Sequence, residues 1–175
     1  MSEQLLKKYE RYCDRTVADL LSLRNHTTES LQQQWIPEKW TMIQLIDHLL
    51  TIEKAVLAYI SKKNQEPELK TVKFRNRLYA FLTGVYLGSG KKFKAPAVLP
   101  QPVNDKDLDR MLREFEIVRT KMRSFVEAWP GENTNKLIFK HPVAGMFTLG
   151  QTISFLNQHW QHHAVQRKEL LGQLK

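Results

Sequence analysis

Phe155-Leu156-Asn157-Gln158-His159-Trp160-Gln161-His162-His163-Ala164-Val165-Gln166 is the stretch whose reading decides the fold. As a helix it places His159 and His163 one turn apart on one face, with Cβ atoms about 5–6 Å apart, close enough for both imidazoles to hold one metal ion. The apolar residues around them support that reading. Leu149, Ile153, Leu156, Trp160, Ala164 and Leu171 recur at helical spacing and define an inward arc. His159 and His163 share one edge of this arc, whereas His162 points away from it and is expected at the solvent surface. Thr148 stands where an N-cap is needed, and the helix is expected to run from there to Leu174.

Working outward, three further amphipathic patterns are visible, and the strand signal is weak. The first runs from Glu3 to Arg24, with Leu5, Tyr9, Tyr12, Cys13, Thr16, Val17, Leu20 and Leu21 at helical spacing. The second is capped by Thr41 and runs to Ile60, with Leu45, Leu49, Ile52, Val56 and Ile60 as its core face. The third begins after Asn104 and ends near Pro130-Gly131, its apolar stripe formed by Leu108, Met111, Leu112, Phe115, Val118, Met122, Phe125 and Val126. Cys13 lies within the first stripe, which suits a buried structural thiol better than a reactive one.

Between Asn64 and Asn104 the prolines and glycines argue against continuous helix, and connections of this length usually act as covers or crossovers. The net charge of the chain is +9. Residues 61 to 94 carry most of it: nine Lys or Arg (Lys62, Lys63, Lys70, Lys73, Arg75, Arg77, Lys91, Lys92, Lys94) against Glu66 and Glu68, a net +7. Phe74, Tyr79, Phe81 and Phe93 are interleaved, a pattern that suits contact with phosphates or an anionic substrate. A solvated basic connection is the preferred reading, because Tyr79-Ala80-Phe81-Leu82 is an apolar run expected to pack inward.

The 175 residues are enough for one sizeable core, so residues 1–175 are expected to form a single domain. One cysteine excludes an intramolecular disulfide and a cysteine-rich zinc site. Any metal must be held by histidine or carboxylate. No apolar run has signal-peptide or membrane-spanning length, so a soluble cytoplasmic protein without membrane contact is expected.

The chain has six histidines. His48 lies on the flank of the second helix's core face, where two helices of a bundle could bring it against His159 and His163. His26 follows the first helix and suits its terminal carbonyls. His141 precedes a proline in a loop and could line a pocket mouth, with a simple turn residue the preferred reading. The zinc-protease pattern H-E-x-x-H fails because Trp160 stands where the glutamate base is needed. What survives is a three-histidine site, His48, His159 and His163, with coordination positions left for water or substrate. Gln166, three residues after His163, is the candidate to orient a ligand; Asp47, Glu53 and Glu169 are further outer candidates, with a solvated charge the preferred reading for each.

Two segments carry a resemblance to a known family. Trp40-Thr41-Met42-Ile43-Gln44-Leu45-Ile46-Asp47-His48-Leu49 is similar to the region of the first histidine in DinB-like metalloenzymes, and residues 155 to 166 resemble their F-x-x-x-H-x-x-x-H-x-x-Q pattern. The connections Phe93-Lys94-Ala95-Pro96 and His141-Pro142-Val143-Ala144-Gly145 are similar too. The resemblance implies an all-α four-helix bundle with a long crossover between the second and third helices. It also implies a divalent metal on His48, His159 and His163, and often a homodimer. Relatives with known activity include thiol-dependent S-transferases and a maleylpyruvate isomerase. A divalent-metal-dependent transferase or hydrolase acting on a small-molecule substrate is therefore the leading expectation. Zinc or nickel is the expected ion, with a low-molecular-weight thiol as a further cofactor that Lys91, Lys92 and Lys94 could help bind. The alternative is a non-catalytic metal-binding or nucleic-acid-binding helical bundle.

Overall fold

The computed structural model describes residues 2–88 and 100–174. Helix α1 spans Ser2–Ser22 and passes into a 3-10 turn at Leu23–Asn25; α2 is a short helix, Thr28–Gln32. Helix α3 spans Met42–Lys63, α4 Phe74–Gly88 and α5 Leu108–Glu127. Strands β1 (Leu137–His141) and β2 (Gly145–Thr148) form an antiparallel hairpin, and α6 (Leu149–His162) and α7 (Ala164–Leu171) complete the described chain.

Helices α3 and α6 start where side chains meet otherwise orphaned backbone donors. Thr41 Oγ1 accepts from Gln44 N while the Gln44 side chain accepts from Thr41 N, and Thr148 and Gln151 repeat this reciprocal box. Asp107 caps α5 by accepting from Arg110 N. Helix α1 packs against α5 and α6, and α3 packs against the same two. Tyr9, Tyr12, Leu45, Leu49, Val56, Ile60, Met111, Phe115, Met122, Ile153, Leu156 and Trp160 are buried among them.

The connection after α3, expected not to be one continuous helix, contains a helix that its prolines and glycines did not announce. Residues Phe74–Gly88 form a helix, opened by Asn76 Oδ1 accepting from Lys73 N and packed on α6 and β2. Gly84 serves close approach here rather than breaking the helix: a Cβ at this position would fall 2.6 Å from Gln158 Nε2 on α6. The inward packing expected of Tyr79-Ala80-Phe81-Leu82 holds for Ala80 only. Phe81 is 67% exposed and Phe74 81%, with Leu78, Tyr79 and Leu82 also exposed. Lys91, Lys92, Phe93, Lys94 and the Ala95-to-Val98 run lie outside the described residues.

The hairpin is a second departure from an all-α chain. Leu137, Ile138 and Phe139 are all buried, so β1 shows no alternation that would mark it as a strand. Gly145, at φ +78°, supplies the left-handed residue the turn requires. The edge is tied to the α3–α4 connection by Leu137 N donating to Lys70 O and Val72 N donating to Asn135 O, both 2.8 Å.

A third departure concerns the last helix, which was expected to be continuous. The chain leaves helical geometry at His163 (φ −85°, ψ 0°) before resuming as α7. The break changes the phase of the helix, so that Leu170 is buried and Leu171 is not. Val17 and Leu21, assigned to the first core stripe, are also exposed, bordering a groove of about 610 Å³ between α1 and α5.

Candidate metal centre

His48 comes from the second turn of α3, His159 from the last turn of α6, and His163 from the break that follows. One ring nitrogen from each lies within 4.8 Å of the others. His48 Nε2 and His159 Nε2 are 3.2 Å apart. At that separation one small cation could be held by both nitrogens. The ring centroids of His48, His159 and His163 are 4.8–5.1 Å apart pairwise.

The three rings share one electrostatic condition. Burial pushes the His48 imidazole down to about 4, against a smaller opposing pull from Asp47. Burial brings His163 to about 4 as well, with the Gln166 hydrogen bond opposing and the neighbouring His48, His162 and Arg167 adding to the fall. For His159 burial comes first, then repulsion from His163 and His48, and its pKa is driven well below the usual histidine range. All three are neutral near pH 7 and keep a lone pair for a Lewis acid.

Gln166, the residue expected to orient a ligand, stands beside His163. Its Oε1 lies 3.0 Å from His163 Nδ1, and an amide oxygen there requires the proton on Nδ1, leaving the Nε2 lone pair free. Trp40, which lies outside the apolar stripes read from the sequence, stacks over His163 at 6.4 Å and leans on His48 at 5.0 Å. Its position follows from the N-cap beside it, and Thr41 is tied to the returning chain through Asn104 at 2.5 Å. On the other side Phe155 lies 5.7 Å from the His159 ring.

The remaining candidates are placed differently from expectation. His162, expected at the surface, is partly buried and packs edge-on to His163 at 5.2 Å, but does not belong to the converging set. His26 closes the 3-10 turn after α1 through its backbone N–H to Leu23 O. His141, read as a turn residue, is instead the buried last residue of β1, with the turn following it. Asp47 and Glu53 are not solvated charges, and their recorded partners lie away from the imidazoles. Asp47 accepts from Lys106 Nζ and Val103 N, at 2.5 and 3.0 Å, anchoring the chain that enters α5. Glu53 accepts from Tyr12 and Arg119. Glu169 pairs with Lys39 at the surface. Cys13 is partly buried at the groove between α1 and α5, where burial raises its thiol pKa, in keeping with an unreactive thiol.

A divalent ion fits this donor set. Three neutral imidazoles match the nitrogen preference of zinc, nickel and related ions, and with no thiolate or carboxylate among them they leave the ion's positive charge undiminished. No helix among the described residues is long and apolar enough to cross a membrane.

Comparison with known proteins agrees with the geometry. A profile of the DinB superfamily matches residues 12–166, which includes all three histidines. The chain is 25% identical over 149 residues to the uncharacterized protein YuaE of Bacillus subtilis (strain 168), covering 85% of this chain and 87% of that protein. No solved structure matches. With the family pattern extending over most of its length, the chain belongs to the DinB superfamily.

Proposed function

We propose that this chain is a metal-dependent enzyme in which His48, His159 and His163 hold one divalent cation, zinc or nickel, in a single-domain four-helix bundle built from α1, α3, α5 and α6. The observation that carries the reading is the convergence within 4.8 Å of one ring nitrogen from each of three neutral imidazoles, supplied by α3, α6 and the break after α6. Such a cation supplies a Lewis acid that can activate a thiol or water near neutral pH. The chain's own residues prepare the site: Gln166 keeps the His163 proton on Nδ1, and the Trp40 and Phe155 rings flank the imidazoles. The reaction class we assign is transfer to or from a low-molecular-weight thiol, or hydrolysis, on a small-molecule substrate, by a cytoplasmic homodimer.

Elemental analysis of untagged protein purified without chelator is the test, followed by a panel of thiols and electrophiles. Near-stoichiometric divalent metal, lost in His159→Ala and His163→Ala, with turnover of at least one thiol pair, is the expected result. Protein that takes up neither zinc nor nickel would refute the metal centre.

A second reading rests on α4. Phe74, Tyr79 and Phe81 are exposed beside Lys73, Arg75 and Arg77, an arrangement suited to stacking bases and neutralising phosphates. Oligonucleotide binding that weakens steeply with salt would favour it, and no binding at low salt would remove it.

A further inference from the structure

His141 ends β1 at the hairpin turn, paired in register with Gly145. Its Nδ1 accepts two backbone N–H groups, Val143 N at 3.2 Å and Ala144 N at 3.1 Å. A nitrogen that accepts carries no proton. Burial holds the ring neutral, its pKa lowered to about 4, so the single ring proton sits on Nε2. The two ring nitrogens point in widely divergent directions, and Nε2–H is therefore turned away from the turn that fixes the ring.

The surroundings give that N–H little to bond to. The ring stacks on Phe147 at 5.3 Å and meets Phe155 edge-on at 4.8 Å. Among the described residues none accepts from Nε2, and the residue is only 8% exposed. Phe155 lies one helical turn before His159 and touches both histidines, and a charge on His141 would be felt at His159. A donor held in one tautomer by backbone, flanked by two aromatic rings and sharing Phe155 with His159 of the proposed metal set suits recognition of an acceptor that arrives with a ligand.

We infer that His141 forms a binding subsite beside the metal centre, its Nε2–H donating to a carbonyl or carboxylate oxygen of the molecule that takes the cation's remaining positions. This rests on the proposed metal centre. It narrows the substrate class to molecules bearing such an oxygen close to the group that meets the cation.

The test uses the full chain loaded with cobalt(II), whose visible absorption reports ligands entering the metal's coordination sphere, titrated with acetate and separately with ethanethiol. His141→Asn keeps a short acceptor for the turn amides but lacks the distal donor. Acetate affinity is expected to fall about tenfold in this variant, the loss of one hydrogen bond, with ethanethiol affinity unchanged. Equal acetate affinity in wild type and variant, both cobalt-loaded, would overturn the subsite and leave the metal centre standing. Failure of the wild type to take up cobalt would overturn both. Should the variant not fold, nitrogen-15 NMR of the zinc-loaded wild type decides: the His141 proton is expected on Nε2, with a resonance that moves on saturation with acetate. A proton on Nδ1, or an unmoved resonance, refutes the inference.

Discussion

His48 Nε2 and His159 Nε2 face each other at 3.2 Å although 111 residues separate them in the chain. Without a cation, two neutral rings at this distance share a hydrogen bond, so one of them carries its proton on Nε2. On the proposed reading, a cation held by both Nε2 atoms would need both lone pairs, and that proton would sit on Nδ1 instead. Loading such a site would then change the tautomer of one ring, and the short distance between the nitrogens is compatible with a shared ion.

The ligand set can be separated from its neighbour by substitution. His48→Ala, His159→Ala and His163→Ala are each expected to weaken zinc binding by more than about 100-fold, since each removes a direct bond and outer-shell losses alone cost about 10–100-fold. His162→Ala is expected to change affinity by less than about 10-fold, because its ring packs against His163 without joining the converging set. Competition titrations against a chromophoric chelator would measure all four. Equal losses throughout would remove the assignment of three ligands and one bystander.

Gln166→Leu tests orientation apart from ligation. The substitution leaves all three imidazoles in place and removes the acceptor at His163 Nδ1. Zinc affinity is expected to drop about 10–100-fold while urea unfolding of the metal-free protein shifts by less than about 1 kcal/mol. Unaltered affinity would mean that the α6–α7 break alone fixes the His163 ring.

Much of this site was legible because its determinants are local. Thr41 with Gln44 and Thr148 with Gln151 mark helix starts through side chains three residues apart, and the His159–His163 spacing survives the break after His162. The parts that were not legible depend on tertiary contacts. Gly84 reads as a helix breaker until α6 is seen to approach it. Strand β1 is buried on successive residues, which erases the alternation by which strands are recognised. His141 looks like a turn residue because its chemistry arises from Phe147 and Phe155, both distant from any motif it carries. The burial of Asp47 and Glu53 was hidden for the same reason: Lys106 and Arg119 lie more than fifty residues away in sequence.

The depressed imidazole pKa values predict an unusual response to acid. Unfolded histidines take up protons near pH 6.5, whereas His48 and His163 in the fold do so only near 4. As pH falls between these values the unfolded chain binds more protons than the native one, so the stability of the metal-free protein is present above about 6.5 and is lost towards 4. Zinc affinity follows a different course. The native ligands are already neutral at pH 7, so uptake is expected to release almost no protons there and to collapse only as pH approaches about 4. Calorimetry in buffers of different ionisation enthalpy would check the first point and titrations from pH 7 to 4 the second. Release of two or more protons at pH 7 would contradict it.

Glu53 gives a prediction about stability that is independent of the metal. Its Oε1 accepts from Tyr12 Oη at 2.5 Å and Arg119 Nη2 at 2.8 Å, and its Oε2 accepts from Arg119 Nε at 3.1 Å. The side chains of Arg119 and Glu53 are 11% and 4% exposed, so removing the carboxylate strands a guanidinium within the core. Glu53→Ala is expected to cost about 3–5 kcal/mol in urea unfolding, against a much smaller loss for Glu53→Leu combined with Arg119→Met, which removes both charges and keeps apolar volume. In both variants the zinc bound per folded molecule should equal that of the wild type, because Glu53 faces α1 and α5 and none of its partners is an imidazole. If Glu53→Ala lost zinc with its stability intact, the carboxylate would belong to the metal centre after all, and the division of α3 into a ligand-bearing face and a structural face would be wrong.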